Sequence, residues 1–350
     1  MTGRPGSVPV RPRNEIMDAL SDVLRAVRLT GAIFFDIHAS DPWVAETPAG
    51  QSIVGAMFPD AEHLVCYHVI TQGSCWATLA GEPPVSLSAG DIIVFPHGDT
   101  HVLSSVPGLR RAPDLAMYRR PDDGRLPFTL SMGDGAAPTA AFVCGFLGCD
   151  ARPFNPLLTA LPRVLRVHDQ SGGPLDSLVR FALSESKGTR VGGEGVLGRL
   201  SELMFVEVIR RYLEALPAER ADWLAGLRDP YVGRALALLH RHSARPWDLD
   251  SLARAVGLGR SALSERFTQF VGQPPMHYLA QWRMQVAAGL LSSGGPSIAV
   301  IASDVGYGSE AAFSRAFKKL VGTPPAAWRR RQGTSVSGAI AERIVPRPRR

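Results

Sequence analysis

Two segments near the carboxyl end of this 350-residue chain repeat each other. The first reads LARAVGLGRSALSERFTQFVGQPP at 252–275, and the second reads IASDVGYGSEAAFSRAFKKLVGTPP at 301–325. Gly257 aligns with Gly306 at an offset of 49 residues, and the matches further along are 50 residues apart. Two copies at this spacing indicate a duplicated supersecondary unit, because a solenoid usually needs at least about three repeats.

The first copy, at 248–271, predicts two short helices joined by a turn. Asp248 or Asp250 can cap the first helix, because a carboxylate accepts hydrogen bonds from the free N–H groups of a first turn. Gly257 can adopt the left-handed conformation that ends that helix. Ser261 is predicted to cap the second helix.

The second copy, at 297–320, has the same plan. Ser297 is predicted to cap its first helix, Gly306 to end it, and Ser309 to cap its second helix. Apolar residues at helical spacing predict the buried side of each second helix: Leu263, Phe267 and Phe270, then Phe313, Phe317 and Leu320. One helix is predicted to join the copies. Two helices with a short turn form a DNA-reading unit, whose second helix lies in the major groove.

Charge is distributed unevenly along the chain. Residues 227–350 carry 18 Lys and Arg against 7 Asp and Glu, a net charge of +11, whereas residues 1–226 carry a net charge of −5. A basic segment of this kind indicates a polyanionic partner for the back half. Charge alone does not separate nucleic acid from anionic lipid.

The repeated region resembles the DNA-binding module of the AraC/XylS class of bacterial transcription regulators. The second copy is very close to that family's C-terminal signature, in the pattern IAxxVGYxSEAAFSRAFKxxxGxxPxxWR, and the resemblance covers about residues 228–331. It implies two recognition helices held about 34 Å, or one DNA turn, apart on one face of double-stranded DNA. It also suggests a homodimer and RNA polymerase as further partners.

The resemblance places candidate DNA contacts on the exposed sides of the second helices. The residues predicted to face bases are Ser261, Ser264, Glu265, Glu310, Ala311, Ser314 and Arg315. Arg315 is the strongest candidate, because arginine can donate two hydrogen bonds to guanine O6 and N7, although it could instead contact a phosphate or form an ion pair. Glu265 could accept from cytosine N4 or weaken non-specific binding. The residues predicted to contact phosphates are Arg266, Lys318, Lys319, Arg329 and Arg330.

The front half has a different pattern. Between residues 31 and 148, short apolar runs such as IFFDI, HLVCYHVI, CWATLA and DIIVFP alternate with Gly, Pro, Asp and Ser, which is typical of a β-barrel or sandwich. Residues 90–101, GDIIVFPHGDTH, resemble the second motif of the cupin barrel and would point His101 into the barrel. The first cupin motif is degraded, since Cys66 stands at its Glu position.

This barrel is predicted to hold an effector, and a divalent metal is one candidate because imidazole and thiolate groups are common metal ligands. The candidate ligands of an effector or a metal are His63, His68, His97, His101 and Cys66. Strand alternation predicts Cys66 and His68 on one face and Tyr67 on the other. The four cysteines could act as a thiol sensor or be buried and inert.

The sequence therefore predicts a multidomain α+β chain, with a cupin-like β-barrel, a helical linker or dimerisation segment, and an all-α module with two helix-turn-helix units. The predicted divisions are a disordered arm at 1–13, the barrel with its leading helix at 14–150, the linker at 151–227, the DNA-binding module at 228–331 and a disordered tail at 332–350. The helix predicted at 196–216 could mediate dimerisation or pack on its own barrel.

No run of about 18 apolar residues occurs, so a membrane span is not expected. A cytoplasmic location is expected. The leading hypothesis is a sequence-specific transcription regulator that responds to a small molecule or metal and carries no catalytic residues. The alternatives are a metal-dependent cupin enzyme fused to a DNA-binding module, and a thiol-sensing regulator.

Overall fold

Nine strands of the front half form one curled sheet in the computed structural model, which describes residues 18–118, 128–135, 137–168, 173–188, 190–217 and 219–331. The predicted arm and tail lie outside these residues. The strands are β1 Thr30–Ala39, β2 Val44–Thr47, β3 His63–Leu79, β4 Val85–Ser88, β5 Asp91–Phe95, β6 His101–Ser104, β7 Phe128–Met132, β8 Ala140–Cys149 and β9 Leu165–His168. The sheet has the cupin-like form that the sequence predicts, a half-barrel that curls around an apolar interior.

The strand order along the sheet is β2-β6-β3-β8-β1-β7, with β4 and β5 also paired to β3, and β9 paired to β5. The β1–β7 pair is parallel, and the other pairs are antiparallel. Strand β3 joins the two sides of the half-barrel, because its first half pairs with β5 and its second half pairs with β4 and β6.

The structure differs from the sequence prediction at β3, because the runs HLVCYHVI and CWATLA belong to one strand rather than two. Gly73, which signals a break in the sequence, has a φ of +69°. The register with β8 shifts between Ile70 and Gln72, and the strand pairs with β8 on both sides of that shift. A bulge of this kind bends a strand without ending it, so β3 can wrap around the barrel.

The two faces of β3 pack against different partners, as strand alternation predicts. Cys66 lies in the barrel interior, and Tyr67 faces the helices outside. Tyr67 stands opposite Gly145 of β8, where a Cβ atom would come within 1.9 Å of the tyrosine ring. Glycine at that position therefore leaves room for the ring, whose hydroxyl lies 2.7 Å from Ser201 Oγ on an outer helix.

Helices cover the outer face of the sheet and form the whole of the carboxyl-terminal module, whereas the helix Gly50–Met57 buries Ile53 and Met57 in the barrel interior. They are α1 Asp18–Ala26, α2 Gly50–Met57, α3 Pro156–Ala160, α4 Pro174–Ser186, α5 Gly193–Ala215, α6 Trp223–Arg228, α7 Val232–Arg241, α8 Leu249–Val256, α9 Arg260–Val271, α10 Pro275–Ser292, α11 Ile298–Asp304 and α12 Glu310–Val321. A 3₁₀ helix spans Leu115–Tyr118, and residues 325–331 are also helical.

Strand β9 corrects the prediction that the linker at 151–227 is entirely helical. Leu165 and Val167 are buried and alternate with outward-facing Arg166 and His168, which is the period of a strand. Both outward side chains bind the buried carboxylate of Asp91 on β5, with Arg166 Nη2 2.9 Å and His168 Nδ1 3.1 Å from its oxygens. Pairing with β5 therefore adds this segment to the barrel sheet.

Helix α5 packs its apolar stripe on its own chain. It begins at Gly193, three residues before the predicted start, and Leu200, Met204 and Val208 are buried against the barrel and α4. Leu203 of the same helix is 53% exposed. The surface proposed for dimerisation is therefore mostly covered within one chain.

The carboxyl-terminal module has two apolar cores, one for each helix-turn-helix unit. The core of the first unit, around Leu263 and Phe267, is continuous with the outer face of the barrel through α1, α5 and α6. The core of the second unit is separate and contains Phe313, Phe317 and Trp328. The single helix α10 joins the two units, as predicted.

Candidate nucleic-acid interface and barrel pocket

The first helix-turn-helix unit is formed by α8 and α9. Asp248 caps α8 in a capping box, in which its carboxylate accepts from Ser251 N at 2.7 Å and Ser251 Oγ accepts from Asp248 N at 3.1 Å. Gly257 ends α8 with a φ of +83°, as the sequence predicts. The predicted cap of α9 is wrong, because the cap position is Gly259, and Ser261 lies exposed in the first turn.

The second unit is formed by α11 and α12, and both of its predicted caps are confirmed. Ser297 Oγ accepts from Val300 N at 3.3 Å, and Ser309 Oγ accepts from Ala312 N at 3.2 Å. Gly306 follows α11 with a φ of +82°. These contacts are local, which is why a sequence pattern suffices to predict them.

The polar sides of both second helices face outward. The exposed side chains are those of Ser261, Glu265, Glu310, Ala311 and Arg315, and the half-buried ones are those of Ser264 and Ser314. The opposite sides bury Leu263 and Phe267 in α9, and Phe313 and Phe317 in α12. Phe270 and Leu320, predicted to lie in the same stripes, are half-buried at the rim. All seven predicted base contacts therefore lie at the surface of the module.

The predicted phosphate contacts differ in how tightly the protein itself holds them. Lys318 and Lys319 are exposed in the last turn of α12, and Arg330 is exposed in the final helical turn. Arg266 forms an ion pair with Asp229, with Nε 2.9 Å from the carboxylate. Arg329 is half-buried and donates from Nη2 to the Pro296 carbonyl at 2.6 Å. Both arginines also serve to join segments of the module.

Three further surface residues on α9 lie beside the predicted contacts and were not predicted. Arg260, Thr268 and Gln269 line one open surface cleft together with the predicted Ser261 and Glu265. Thr268 lies seven residues after Ser261, and Gln269 lies four residues after Glu265. This helical spacing from the predicted contacts is the signal that could have identified both.

The half-barrel contains a cavity of about 320 Å³. Its wall includes the aromatic side chains of Phe35, Phe142, Phe146 and Tyr118, and it also has polar side chains, among them His68. Of the five predicted sensor residues, only His68 lines this cavity. Cavities of this size and composition are typical of small-molecule sites.

A chain of hydrogen bonds ends at the wall of this cavity. His101 Nδ1 donates to the Asp99 carbonyl at 2.8 Å, because a carbonyl can only accept. In a neutral His101, Nε2 must then accept from His68 Nε2 at 2.7 Å, which leaves His68 Nδ1 to accept from the Cys144 thiol at 2.9 Å. Burial lowers the pKa of His101 to about 4 and that of His68 well below its ordinary value, so both rings are neutral at pH 7.

The other predicted sensor residues lie elsewhere. His63 Nε2 bonds to the Pro96 carbonyl at 2.7 Å, and His97 Nε2 bonds to the Leu161 carbonyl at 3.0 Å. Cys66 is buried in the barrel core. In the part of the chain that the structure describes, no three His, Cys, Asp or Glu side chains are grouped so that they could hold a metal ion. The five candidate ligands of an effector or a metal therefore do not lie together in one site.

The four thiols are all buried and unpaired by disulfides. Burial raises the pKa of the Cys75 and Cys149 thiols to about 12, and also raises the pKa of Cys66 and Cys144. Because the thiolate is the reactive form, this environment disfavours the thiol-sensing alternative.

Comparison with known proteins agrees with both halves of this architecture. A family model described as Cupin matches residues 18–214, and one described as Helix-turn-helix domain matches residues 252–331. A Streptomyces lividans protein described as an AraC-like transcription regulator is 31% identical over 319 residues, which cover 90% of this chain and 98% of that protein. The chain belongs to the family of AraC-like transcription regulators. It is accordingly a DNA-binding transcription regulator with a cupin-like amino-terminal domain.

This regulator is also similar to a second full-length relative and to one solved domain. The transcriptional regulator AlkR of Acinetobacter baylyi is 27% identical to this regulator over 317 residues, 89% of this chain and 99% of AlkR. The DNA-binding domain of AdpA, solved in complex with a target DNA, is 28% identical to this regulator in the matched region. The match covers 29% of this chain and 90% of that domain, with a TM-score of 0.28. Across the described residues, the regulator has no helix that is both long and apolar enough to span a membrane.

Proposed function

We propose that this regulator reads DNA with the outward faces of α9 and α12, and that a small molecule bound in the barrel sets its affinity for that DNA. The single observation that carries the DNA part is the exposure of the polar sides of both second helices, opposite buried apolar stripes. Arg315 reads a base from α12, and Lys318 and Lys319 contact phosphates. The protein acts on DNA in the cytoplasm.

The proposed effector site is the barrel cavity, and the packing around α1 supports a physical link from it to the DNA-binding module. Helix α1 packs against α7 and α10 of that module and against α3 of the barrel side. The outer face of the sheet and the first helix-turn-helix unit share one apolar core. A ligand changes DNA affinity only if it binds one arrangement of these elements more tightly than another.

The DNA part is tested by measuring binding of the full chain to the region upstream of its own gene and to competitor DNA, at physiological salt. We expect tighter binding to the upstream region, with an affinity that falls as salt increases, because contacts to phosphates release counterions. Equal affinity for both DNAs would exclude sequence-specific regulation through these helices.

We propose that the barrel senses rather than catalyses. The nitrogens of His68 and His101 bond to each other, to the Cys144 thiol and to a backbone carbonyl, so these groups support no free general base at the cavity. The homodimer and the contact with RNA polymerase also stay proposals. Leu203 on α5 and Phe181 on the neighbouring α4 are half-exposed apolar side chains at this surface, and sedimentation of the full chain would test it.

A further inference from the structure

We infer that the barrel cavity takes an uncharged aromatic ligand with about two fused rings. This inference rests on the proposed effector site and assigns its ligand class. It is carried by the volume of the cavity, by the arrangement of the aromatic side chains in its wall, and by the hydrogen bonds that already pair its polar groups with protein partners.

The volume limits the size of the ligand. The cavity measures about 320 Å³. A cavity of about 150 Å³ lined by apolar side chains is large enough to hold benzene, so this one has room for about two rings. A long flexible chain would lose much of its conformational freedom in a space of this size, whereas a rigid bicyclic molecule loses little.

The aromatic wall favours another ring. Phe35 packs edge-on to Tyr118 and Phe146, with ring centroids 5.5 and 6.3 Å away, and Tyr118 packs edge-on to Phe146 at 6.0 Å. On another side, Phe142 stacks on Trp43 at 5.2 Å. Aromatic side chains attract further rings in offset or edge-on arrangements, in addition to the gain from burying apolar surface.

The buried polar groups inside the cavity are already paired with protein partners. The Cys144 thiol donates to His68, and His68 in turn donates to His101. The side chain of Thr47 lies beside the Tyr118 hydroxyl and lowers its pKa, although burial outweighs this effect and raises it. A charged ligand group placed among these neutral, mutually bonded groups would lose its hydration without gaining a counter-ion, which is costly.

The charged side chains at the mouth of the cavity are either paired with other protein groups or exposed to solvent. Glu46 accepts from Arg110 Nε at 2.9 Å and from the backbone N of Arg111 at 3.4 Å, so its carboxylate is already occupied by donors. The side chains of Arg111 and Asp114 also line the cavity but are exposed to solvent, where water and salt weaken their attraction for an ion. The mouth therefore supplies no buried partner for an ionic ligand.

The test uses three probes of one shape, each added to the full-length protein: 2-methylnaphthalene, which is neutral, 2-naphthoate, which is anionic, and 2-naphthylmethylammonium, which is cationic. Isothermal titration and thermal melting report binding. We expect the neutral probe to bind and to raise the melting temperature, and both charged probes to bind at least about tenfold more weakly. Tighter binding of either charged probe would overturn the ligand class, and failure of the neutral probe to bind up to its solubility limit would overturn the inference.

Two variants locate the binding. Leu130→Trp and Ala45→Phe each add bulk from a different strand at half-buried positions of the cavity wall, so either suffices if the other does not fold. Val191→Trp adds a tryptophan at a fully exposed position before α5, outside both the cavity wall and the predicted dimer helix, and serves as the control. We expect both filled variants to lose the neutral probe and the control to keep it. Binding that survives filling of the cavity would contradict the site.

Failure of this inference is distinguishable from failure of the proposed function. Affinity for the upstream DNA is measured first without any probe, and this tests DNA reading by itself. If a charged probe binds the cavity and alters that affinity, the proposed effector site stands and the ligand class is wrong. If the neutral probe binds in the cavity and the affinity for DNA does not change, the ligand class stands and effector control is wrong.

Discussion

Gln285 on α10 donates from Nε2 to the carbonyl of Ala26, the last residue of α1, at 3.1 Å. Its Oε1 accepts from the backbone N of Phe154, just before α3, at 3.0 Å. The Gln285 side chain is completely buried, so one amide joins the helix between the two DNA-reading units to both ends of the barrel domain. The ring of Phe154 also packs edge-on to Tyr278 of the same helix, at 5.3 Å.

Replacing Gln285 with alanine should destabilise the protein and weaken its response to a ligand. The change leaves the Phe154 N–H and the Ala26 carbonyl buried without this partner, at a cost of about 1–3 kcal/mol in the free energy of unfolding. Urea denaturation measures that loss, and DNA affinity with and without a barrel ligand measures the response. Gln281→Ala is the control, because Gln281 lies one turn earlier on α10 and its side chain bonds to Gln273 within the DNA-binding module.

Replacing Arg315 with alanine should cost about 1–3 kcal/mol in DNA binding and relax the preference at one base pair. The side chain is exposed on the outward face of α12, where it can donate two hydrogen bonds to a guanine. Binding to a set of operators with single substitutions measures the effect. An equal loss on every sequence would identify Arg315 as a phosphate contact.

Replacing Lys318 with alanine should weaken binding to all sequences alike. Lys318 is exposed in the last turn of α12, and loss of one phosphate contact should reduce the slope of log affinity against log salt by about one unit. Titrations at several salt concentrations measure the slope. A change in base preference without a change in slope would argue against a phosphate contact.

Replacing Phe317 with alanine should unfold the second reading unit. Its ring is fully buried and packs against Phe313 at 5.5 Å and Trp328 at 6.0 Å, so its removal should cost about 3–5 kcal/mol. Thermal and urea melts measure the loss. Leu320→Ala, at a half-buried position of the same helix, should cost less. An unchanged melting temperature in Phe317→Ala would refute the core assignment.

The folded protein should lose stability as the pH falls below about 6.5. Burial lowers the pKa of His101 to about 4 and that of His240 to about 3, from an ordinary value of 6.5. At a pH between the lowered and the ordinary pKa, the unfolded state binds a proton that the folded state does not. The free energy of unfolding therefore decreases as the pH decreases. Each of these two histidines should lower the free energy of unfolding by about 2 kcal/mol between pH 7 and pH 5.

Unfolding in urea at pH 7 and pH 5 checks this pH dependence. His240→Phe keeps a ring beside Trp282, on which the imidazole stacks at 3.9 Å, and should reduce the loss at pH 5 by about 2 kcal/mol. His277→Phe, at an exposed position on α10, is the control and should leave the loss unchanged. The same loss in wild type and in His240→Phe would contradict the neutral, buried state of His240.

The native thiols should resist a thiol reagent. All four cysteines are buried, and burial raises the pKa of each thiol, so little thiolate is present near pH 8. A colorimetric disulfide reagent should react slowly with the folded protein and rapidly with four thiols in guanidinium chloride. Fast reaction of one thiol in the folded state would restore the thiol-sensing hypothesis.

In the DNA-binding module, hydrogen-bond partners that lie close in sequence could be predicted, and partners distant in sequence could not. The caps at Ser297 and Ser309 bond to backbone N–H groups three residues away, so the local pattern contains both members of each pair. Arg266 pairs with Asp229, which lies 37 residues earlier, and Arg329 bonds to the carbonyl of Pro296. Sequence spacing could not show that either arginine has a partner within the module.

The sequence by itself determined the helices of the repeat, the alternation of Cys66 and Tyr67 along their strand, and the outward position of residues such as Arg315, because helix and strand periods are local properties of the backbone. Only the tertiary structure decided which side chains meet. It separated His63 and His97 from the His68–His101 pair, and it placed α1 against the DNA-binding module. These contacts depend on how the sheet curls and how the domains pack, and many different packings are compatible with the same local periods.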